Sequence, residues 1–248
     1  MGPTLFITGT DTGVGKTVLT CLLADFLRRR DCRVAAFKPL CSGGRADARA
    51  LHTALGGALT LDAINPWHFR APVSPALAAR REKKPVTLGR VLAHIRAVEK
   101  PFTVTLVEGA GGLLSPLGVG FDSRDLLLAL RATPVIVAAN RLGVINHVRL
   151  TCEALPPKLR EGCRILLMTP SQPDAATSTN AALLRSWTPR NSVFQLPWFG
   201  ADFDLTATAG RPAVVRTLRA LTATLAGSMQ AKLSRQPFLL KQIQNRGV

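Results

Sequence analysis

Gly9-Thr10-Asp11-Thr12-Gly13-Val14-Gly15-Lys16-Thr17 sets glycines, a lysine and a threonine in the pattern of a loop that wraps an anion. The glycines let backbone N–H groups curl around phosphate oxygens, and a helix opening behind them adds the positive end of its dipole. Lys16 then reaches the terminal phosphates, and Thr17 offers a hydroxyl to Mg²⁺. A purely structural glycine turn gives no reason for Lys16 and Thr17 to stand together at a helix start. The chemistry this spacing points to is that of a P-loop holding a nucleotide.

Two apolar runs end in charge. Val34-Ala35-Ala36-Phe37 is followed by Lys38, and Val104-Thr105-Leu106-Val107 by Glu108. Lys38 reads as a surface lysine at a strand end or as a second cation for a phosphoryl group, and Pro39 after it favours the site. A cation about 4 Å from an anionic oxygen contributes roughly 4 kcal/mol at an effective dielectric near 20. A carboxylate such as Glu108 at the end of an apolar strand is costly without a cation or donors. Magnesium takes hard oxygens and keeps several waters, so Thr17, Asp47 and Glu108 with phosphate oxygens make a sufficient set. Asp47 also reads as a carboxylate placed at a helix N-terminus by the dipole.

The elements that must position these groups follow from periodicity. Leu5-Phe6-Ile7-Thr8 is a strand, and Val18, Leu19, Leu22, Leu23, Phe26 and Leu27 recur at helical spacing behind the loop. Strands follow at 34–37, 104–107 and 134–139, with a helix face of Val91, Leu92, Ile95 and Val98 between. Further strands are expected at 164–168 and 193–196, and a last helix over 214–225. The prolines at 72, 75 and 85 interrupt the stretch from Pro66 to Pro85, where no element is assigned. Continuously apolar strands alternating with helices predict an α/β fold: one doubly wound, mainly parallel sheet with helices on both faces. Ligands of such sheets bind at the carboxyl ends of the strands, where every motif above falls. The domain is expected over residues 1–230, with a basic tail over 231–248.

The chain has 248 residues, 47% of them apolar, enough for one continuous core. Its formal charge of +17 admits a nucleic-acid or acidic-membrane partner. The basic residues are dispersed, however, and neither aromatic interleaving nor a nucleic-acid module accompanies them, so neither partner is expected. Cys21, Cys32, Cys41, Cys152 and Cys163 show no metal-ligand spacing and no disulfide density, which fits reduced thiols in a cytoplasmic protein. No signal-peptide pattern or bilayer-length apolar run is present.

Counted from Gly9, the loop is one residue longer than G-x-x-x-x-G-K-[ST]. In that form, Gly-Thr-Asp-Thr-x-Val-Gly-Lys-Thr, it resembles the loop of the dethiobiotin synthetase family. Phe37-Lys38-Pro39 with Ser42-Gly43, Val107-Glu108-Gly109-Ala110-Gly111-Gly112 and Leu142-Gly143-Val144-Ile145-Asn146-His147 resemble that family's later motifs, in order. Asn65-Pro66 and Ser74-Pro75 fit the region between, and Leu196-Pro197-Trp198 is a weaker match beyond.

The resemblance implies Mg²⁺-ATP-dependent carboxylation and ring closure of 7,8-diaminononanoate with CO₂, through a carbamate and a carbamic-phosphoric anhydride. Lys16 and Lys38 would be the catalytic cations. Gly13, Val14, Gly15, Lys16, Thr17, Val18, Asp47, Glu108, Gly109, Ala110, Gly111, Pro197 and Trp198 would hold the nucleotide, with Thr17, Asp47 and Glu108 on the metal. Thr12 and Ser42 resemble the family's polar contacts to the amine end of the substrate. Gly143, Val144 and Asn146 lie in a loop before a helix, whose amides and dipole suit the substrate carboxylate. In the family this loop crosses a subunit interface, which implies a homodimer. His147 reads as a polar supporting residue or a packing residue rather than a base.

The pattern departs from the family in places. Thr169-Pro170-Ser171 stands where an Asn-Asp pair commonly reads adenine, so a relaxed nucleotide preference is expected. Arg141 replaces a usual lysine, and the loop between Ser42 and Asp47 is short. The alternative is a P-loop switch ATPase of the partitioning and metallochaperone superfamily. Those proteins usually carry a lysine near the loop's start, where Thr10-Asp11-Thr12 stands here.

Overall fold

The computed structural model describes residues 2–200 and 202–233, those from 226 onward by backbone alone. The first elements are β1 (Thr4–Gly9), α1 (Lys16–Arg28), β2 (Val34–Phe37), β3 (Leu40–Ser42), α2 (Ala46–Ala54), α3 (Leu61–Ile64) and β4 (Trp67–Phe69). There follow α4 (Pro75–Arg81), α5 (Leu88–Val98), β5 (Val104–Gly112), β6 (Pro116–Gly118), β7 (Phe121–Asp122), α6 (Ser123–Leu130) and β8 (Thr133–Ala139). The chain continues as α7 (Val144–Glu153), α8 (Pro157–Gly162), β9 (Arg164–Met168), α9 (Asn180–Trp187), β10 (Val193–Leu196), α10 (Leu205–Ala209) and α11 (Pro212–Leu233).

The main sheet runs β10-β9-β8-β1-β5-β2, and all its pairs are parallel. The crossover through α1 leads from β1 towards one edge and that through α6 from β5 towards the other. Right-handed crossovers therefore place these helices on opposite faces. The strands are buried on both sides: Phe6, Ile7, Leu106, Val107, Val135, Ile136 and Val137 have no exposed surface. The direction of winding changes around β1, so the crevice at its carboxyl end is the natural ligand site of such a sheet. The P-loop leaves β1 there.

The predicted strands are all present. The stretch from Pro66 to Pro85, unassigned from sequence, holds β4, which pairs with β3, and α4. Pro75 opens α4 at its first turn, where the missing N–H has no partner to lose, so the proline starts this helix rather than breaking one. α11 extends to Leu233, beyond the expected end at 225. The remainder of the expected basic tail lies outside the described residues. Among the described residues no helix is long and apolar enough to cross a membrane.

Candidate active site

Three neighbouring strands of the main sheet converge on the site. β1 delivers the P-loop, β2 delivers Lys38, and β5 delivers Glu108 one residue beyond the registered pair Phe37 and Val107. α2 supplies Asp47 from its first turn. Between them opens a cleft of about 770 Å³.

Lys38 is its electrostatic centre. Its Nζ donates to Glu108 Oε1 at 2.7 Å and to the Gly109 carbonyl at 3.0 Å, and lies 3.0 Å from Asp47 Oδ2. Thr17 Oγ1 donates to the same Glu108 oxygen at 2.8 Å. Lys38 is 4% exposed and Glu108 1%, so each needs the other. Burial disfavours the Lys38 ammonium, yet Glu108 and then Asp47 outweigh it and hold its pKa above the ordinary lysine value. For Asp47, burial works upward, and the Lys38 charge with hydrogen bonds from Lys38 and Thr17 brings the net shift downward.

Lys16 behaves differently. Its Nζ donates to the Asp11 carbonyl at 2.8 Å, folding the side chain back over its own loop. Burial first, and then repulsion from Lys38, lowers its pKa to about 8 against the smaller pulls of Glu108, Asp47 and Asp11. Two cations share a cleft whose carboxylates already hold one of them, so an incoming polyphosphate meets poorly compensated charge at Lys16.

The donor set fits a magnesium ion carried by phosphate oxygens. Glu108 Oε2 is buried and has no hydrogen-bond partner among the described residues, a costly state that a cation would relieve. Thr17 and Asp47 add a hydroxyl and a carboxylate beside it, the hard oxygens that Mg²⁺ prefers.

Thr12, Gly13, Gly15, Lys16, Thr17, Val18, Lys38, Ser42, Asp47, Glu108, Ala110 and Gly111 all line the cleft. Val14 is buried beneath the loop, and Gly109 contributes the carbonyl that Lys38 grips. Gly15 sits at φ +95°, where a Cβ would also stand 3.0 Å from two atoms of Met168 at the end of β9. Glycine is what lets the loop pass that strand.

The remaining predicted residues stand apart from the cleft lining. Gly143 precedes α7 with φ +89°, Val144 is buried and Asn146 exposed. In this loop the Leu142 N–H donates to Asp174 Oδ2 at 2.7 Å, and the N–H groups of Arg141 and Val144 donate to Ala139 and Arg141 carbonyls. Pro197 and Trp198 follow β10 beside Thr169, whose N–H donates to the Leu196 carbonyl.

Sequence reasoning missed other contributors. Cys41, Gly44, Ala46, Pro72, Val73 and Ser115 line the cleft. Burial pushes the Cys41 thiol up to about 12, so it presents a neutral wall, not a nucleophile. Asn140, 1% exposed, donates to the Thr177 carbonyl and accepts from Asn180, locking the loop after β9 onto the end of β8. Its signal was present: an asparagine directly after the apolar run 134–139.

A parallel sheet with this loop on its first strand defines a P-loop NTPase-like α/β protein. A family model described as an AAA domain matches residues 3–200. The ATP-dependent dethiobiotin synthetase of Anaeromyxobacter dehalogenans is 39% identical over 231 residues, covering 91% of this chain and 98% of that protein. That of Akkermansia muciniphila is 35% identical over 73% of this chain and 85% of its own length. The chain belongs to the ATP-dependent dethiobiotin synthetase family, whose members are ligase-type enzymes. Among solved structures, the MinC:MinD cell division protein complex of Aquifex aeolicus aligns with a TM-score of 0.51 and 14% identity, over 90% of this chain and 96% of the matched one. That likeness is one of fold alone.

Proposed function

We propose that the protein uses Mg²⁺-ATP to join CO₂ to 7,8-diaminononanoate and close the ureido ring of dethiobiotin, a step of biotin biosynthesis. The observation that carries the reading is Lys38 held between Glu108 and Asp47 in the same cleft as the P-loop Lys16. Relatives named for this activity support the choice of substrate.

One substrate amine adds to CO₂, losing a proton and forming an N–C bond to give a carbamate. A carbamate oxygen attacks the γ-phosphorus, and ADP departs. The second amine attacks the carbamoyl carbon, the C–O bond to phosphate breaks, and the ring closes with loss of a proton. Each step either spreads negative charge or orients two nitrogens, so positioning and electrostatics carry the catalysis.

Lys16 and Lys38 supply positive charge for the carbamate and phosphoryl oxygens. Thr17, Asp47 and Glu108 would hold Mg²⁺, which when bound offsets phosphate charge during transfer. Thr12 and Ser42 present hydroxyls in the cleft that can accept from the substrate's N–H groups. The loop at Gly143, Val144 and Asn146 would receive the substrate carboxylate from a second copy in a homodimer. Thr10-Asp11-Thr12 at the loop's start weighs against the switch-ATPase alternative.

Incubation with diaminononanoate, bicarbonate, Mg²⁺ and ATP tests the reading. Dethiobiotin formed by the native chain and lost in Lys38→Ala supports it; ATP hydrolysis without dethiobiotin overturns it.

A further inference from the structure

Asn65 has no exposed surface, yet its side chain is fully engaged by groups that themselves carry the site. Its Nδ2 donates to the Lys38 carbonyl at 2.8 Å and, more weakly, to the Pro39 and Trp67 carbonyls, both at 3.3 Å. The Lys38 N–H donates in turn to the Ile64 carbonyl at 3.1 Å, so residues 64–65 hold both backbone groups of Lys38.

Arg45 completes the arrangement. Its Nε donates to Asn65 Oδ1 at 3.1 Å, and its Nη2 donates to the carbonyls of Asn65 at 2.9 Å and Leu61 at 3.0 Å. Nη2 also reaches Asp62 Oδ1 at 2.8 Å, but that carboxylate is 84% exposed and adds little. Arg45 is the residue that caps α2, and Asp47 lies in that helix's first turn. Asp47 Oδ2 then meets Lys38 Nζ at 3.0 Å. The contacts close a ring: Lys38 backbone, Asn65 amide, Arg45 guanidinium, the start of α2, Asp47 carboxylate and Lys38 ammonium.

We infer that Asn65 and Arg45 are positioning residues that fix Lys38 and Asp47 relative to each other for phosphoryl transfer. A buried amide that satisfies a catalytic residue's own carbonyl fixes the root of its side chain. A planar guanidinium spanning an amide oxygen and two carbonyls fixes the helix that carries the partner carboxylate. A lysine on four rotatable bonds lacks a unique position unless its root and its partner are both held, and small misplacement at such a site lowers the rate steeply. The inference rests on the proposed roles of Lys38 and Asp47.

The test measures steady-state dethiobiotin formation by Asn65→Ala, Arg45→Ala and Arg45→Lys, with Lys38→Ala alongside and rates normalised to folded protein by thermal unfolding. The expected result is a kcat lowered at least tenfold in Asn65→Ala and Arg45→Ala, with KM for ATP within threefold of native. Arg45→Lys should recover little, because an ammonium cannot span the three acceptors. If Asn65→Ala is insoluble, Arg45→Ala, whose side chain reaches the surface, decides by the same split. Native kcat in soluble Arg45→Ala, with Lys38→Ala inactive, overturns the inference and leaves the function standing. An equal loss in stability and active fraction with native kcat per folded molecule also overturns it. Native activity in Lys38→Ala instead removes the reading on which it rests.

Discussion

Lys38 Nζ and Glu108 Oε1 meet at 2.7 Å just past the end of β2, beside the middle of β5, each buried and each the other's principal counter-charge. Parallel register brings them there, because Phe37 pairs with Val107 and Lys38 and Glu108 are the residues that follow that pair. Removing one partner leaves the other charged in a low-dielectric site, at a cost of about 3–5 kcal/mol. Lys38→Ala should therefore lower Tm by roughly 6–20 °C, since 1 kcal/mol shifts a domain of this size by about 2–4 °C. Adding Glu108→Gln should restore much of that loss without restoring turnover. Calorimetry on the two variants checks this, and an additive double variant would deny the coupling.

Turnover should fall by orders of magnitude in both Lys16→Ala and Lys38→Ala if each lysine acts, as proposed, on charge that develops during transfer. Single-turnover ADP release measures it. Near-native rates in either variant would remove that lysine from the mechanism.

Glu108→Gln alone should weaken the Mg²⁺ dependence, since a neutral amide is a poorer ligand for a hard cation than a carboxylate whose second oxygen lacks a partner among the described residues. A magnesium titration of the rate shows the midpoint moving to higher concentration. An unchanged midpoint would count against Glu108 as a ligand.

Gly15→Ala should loosen nucleotide binding at least tenfold while the fold survives. A Cβ at φ +95° costs about 1–3 kcal/mol and must also displace Met168 from the loop. Calorimetric titration with ADP reports the affinity. An affinity equal to that of the native chain would show that the loop relaxes around alanine.

The six strands of the main sheet were legible because each is a mainly apolar run, and the P-loop because glycine spacing and a helix-opening lysine encode its shape locally; the short strands β3, β4, β6 and β7 were not. Lys38 and Glu108 were legible for the same reason: each is a charge directly after such a run. Their 2.7 Å contact was not, because it depends on which strands become neighbours. Pro72 and Val73 reach the cleft on the connection between two short elements, where no period can show, and Pro75 reads as a breaker until the helix it opens is seen. Arg45 carries no local signal at all. Its role arises from acceptors at 61 and 65, brought near by tertiary packing.

Nucleotide choice should be loose. Thr169-Pro170-Ser171 follows β9, and proline removes a backbone donor from the stretch beside the P-loop. A pocket without buried groups dedicated to one base edge cannot reject other bases strongly. CTP, GTP and UTP should support turnover within roughly tenfold of ATP, a difference of about 1.4 kcal/mol. Parallel assays at equal concentration decide it, and a strict ATP requirement would place adenine recognition on backbone groups near Thr169 or on Pro197 and Trp198.

The claim that this cleft transfers a phosphoryl group to a carbamate is tested most directly by following oxygen. With diaminononanoate, Mg²⁺-ATP and a short pulse of ¹⁸O-labelled CO₂, mass spectrometry reads the label in both products. The attacking carbamate oxygen stays with phosphate when the second amine closes the ring, and the other oxygen remains on carbon. One ¹⁸O in the released phosphate and one in the ureido carbonyl of dethiobiotin is the predicted result. Phosphate free of label, with or without dethiobiotin, would contradict the account.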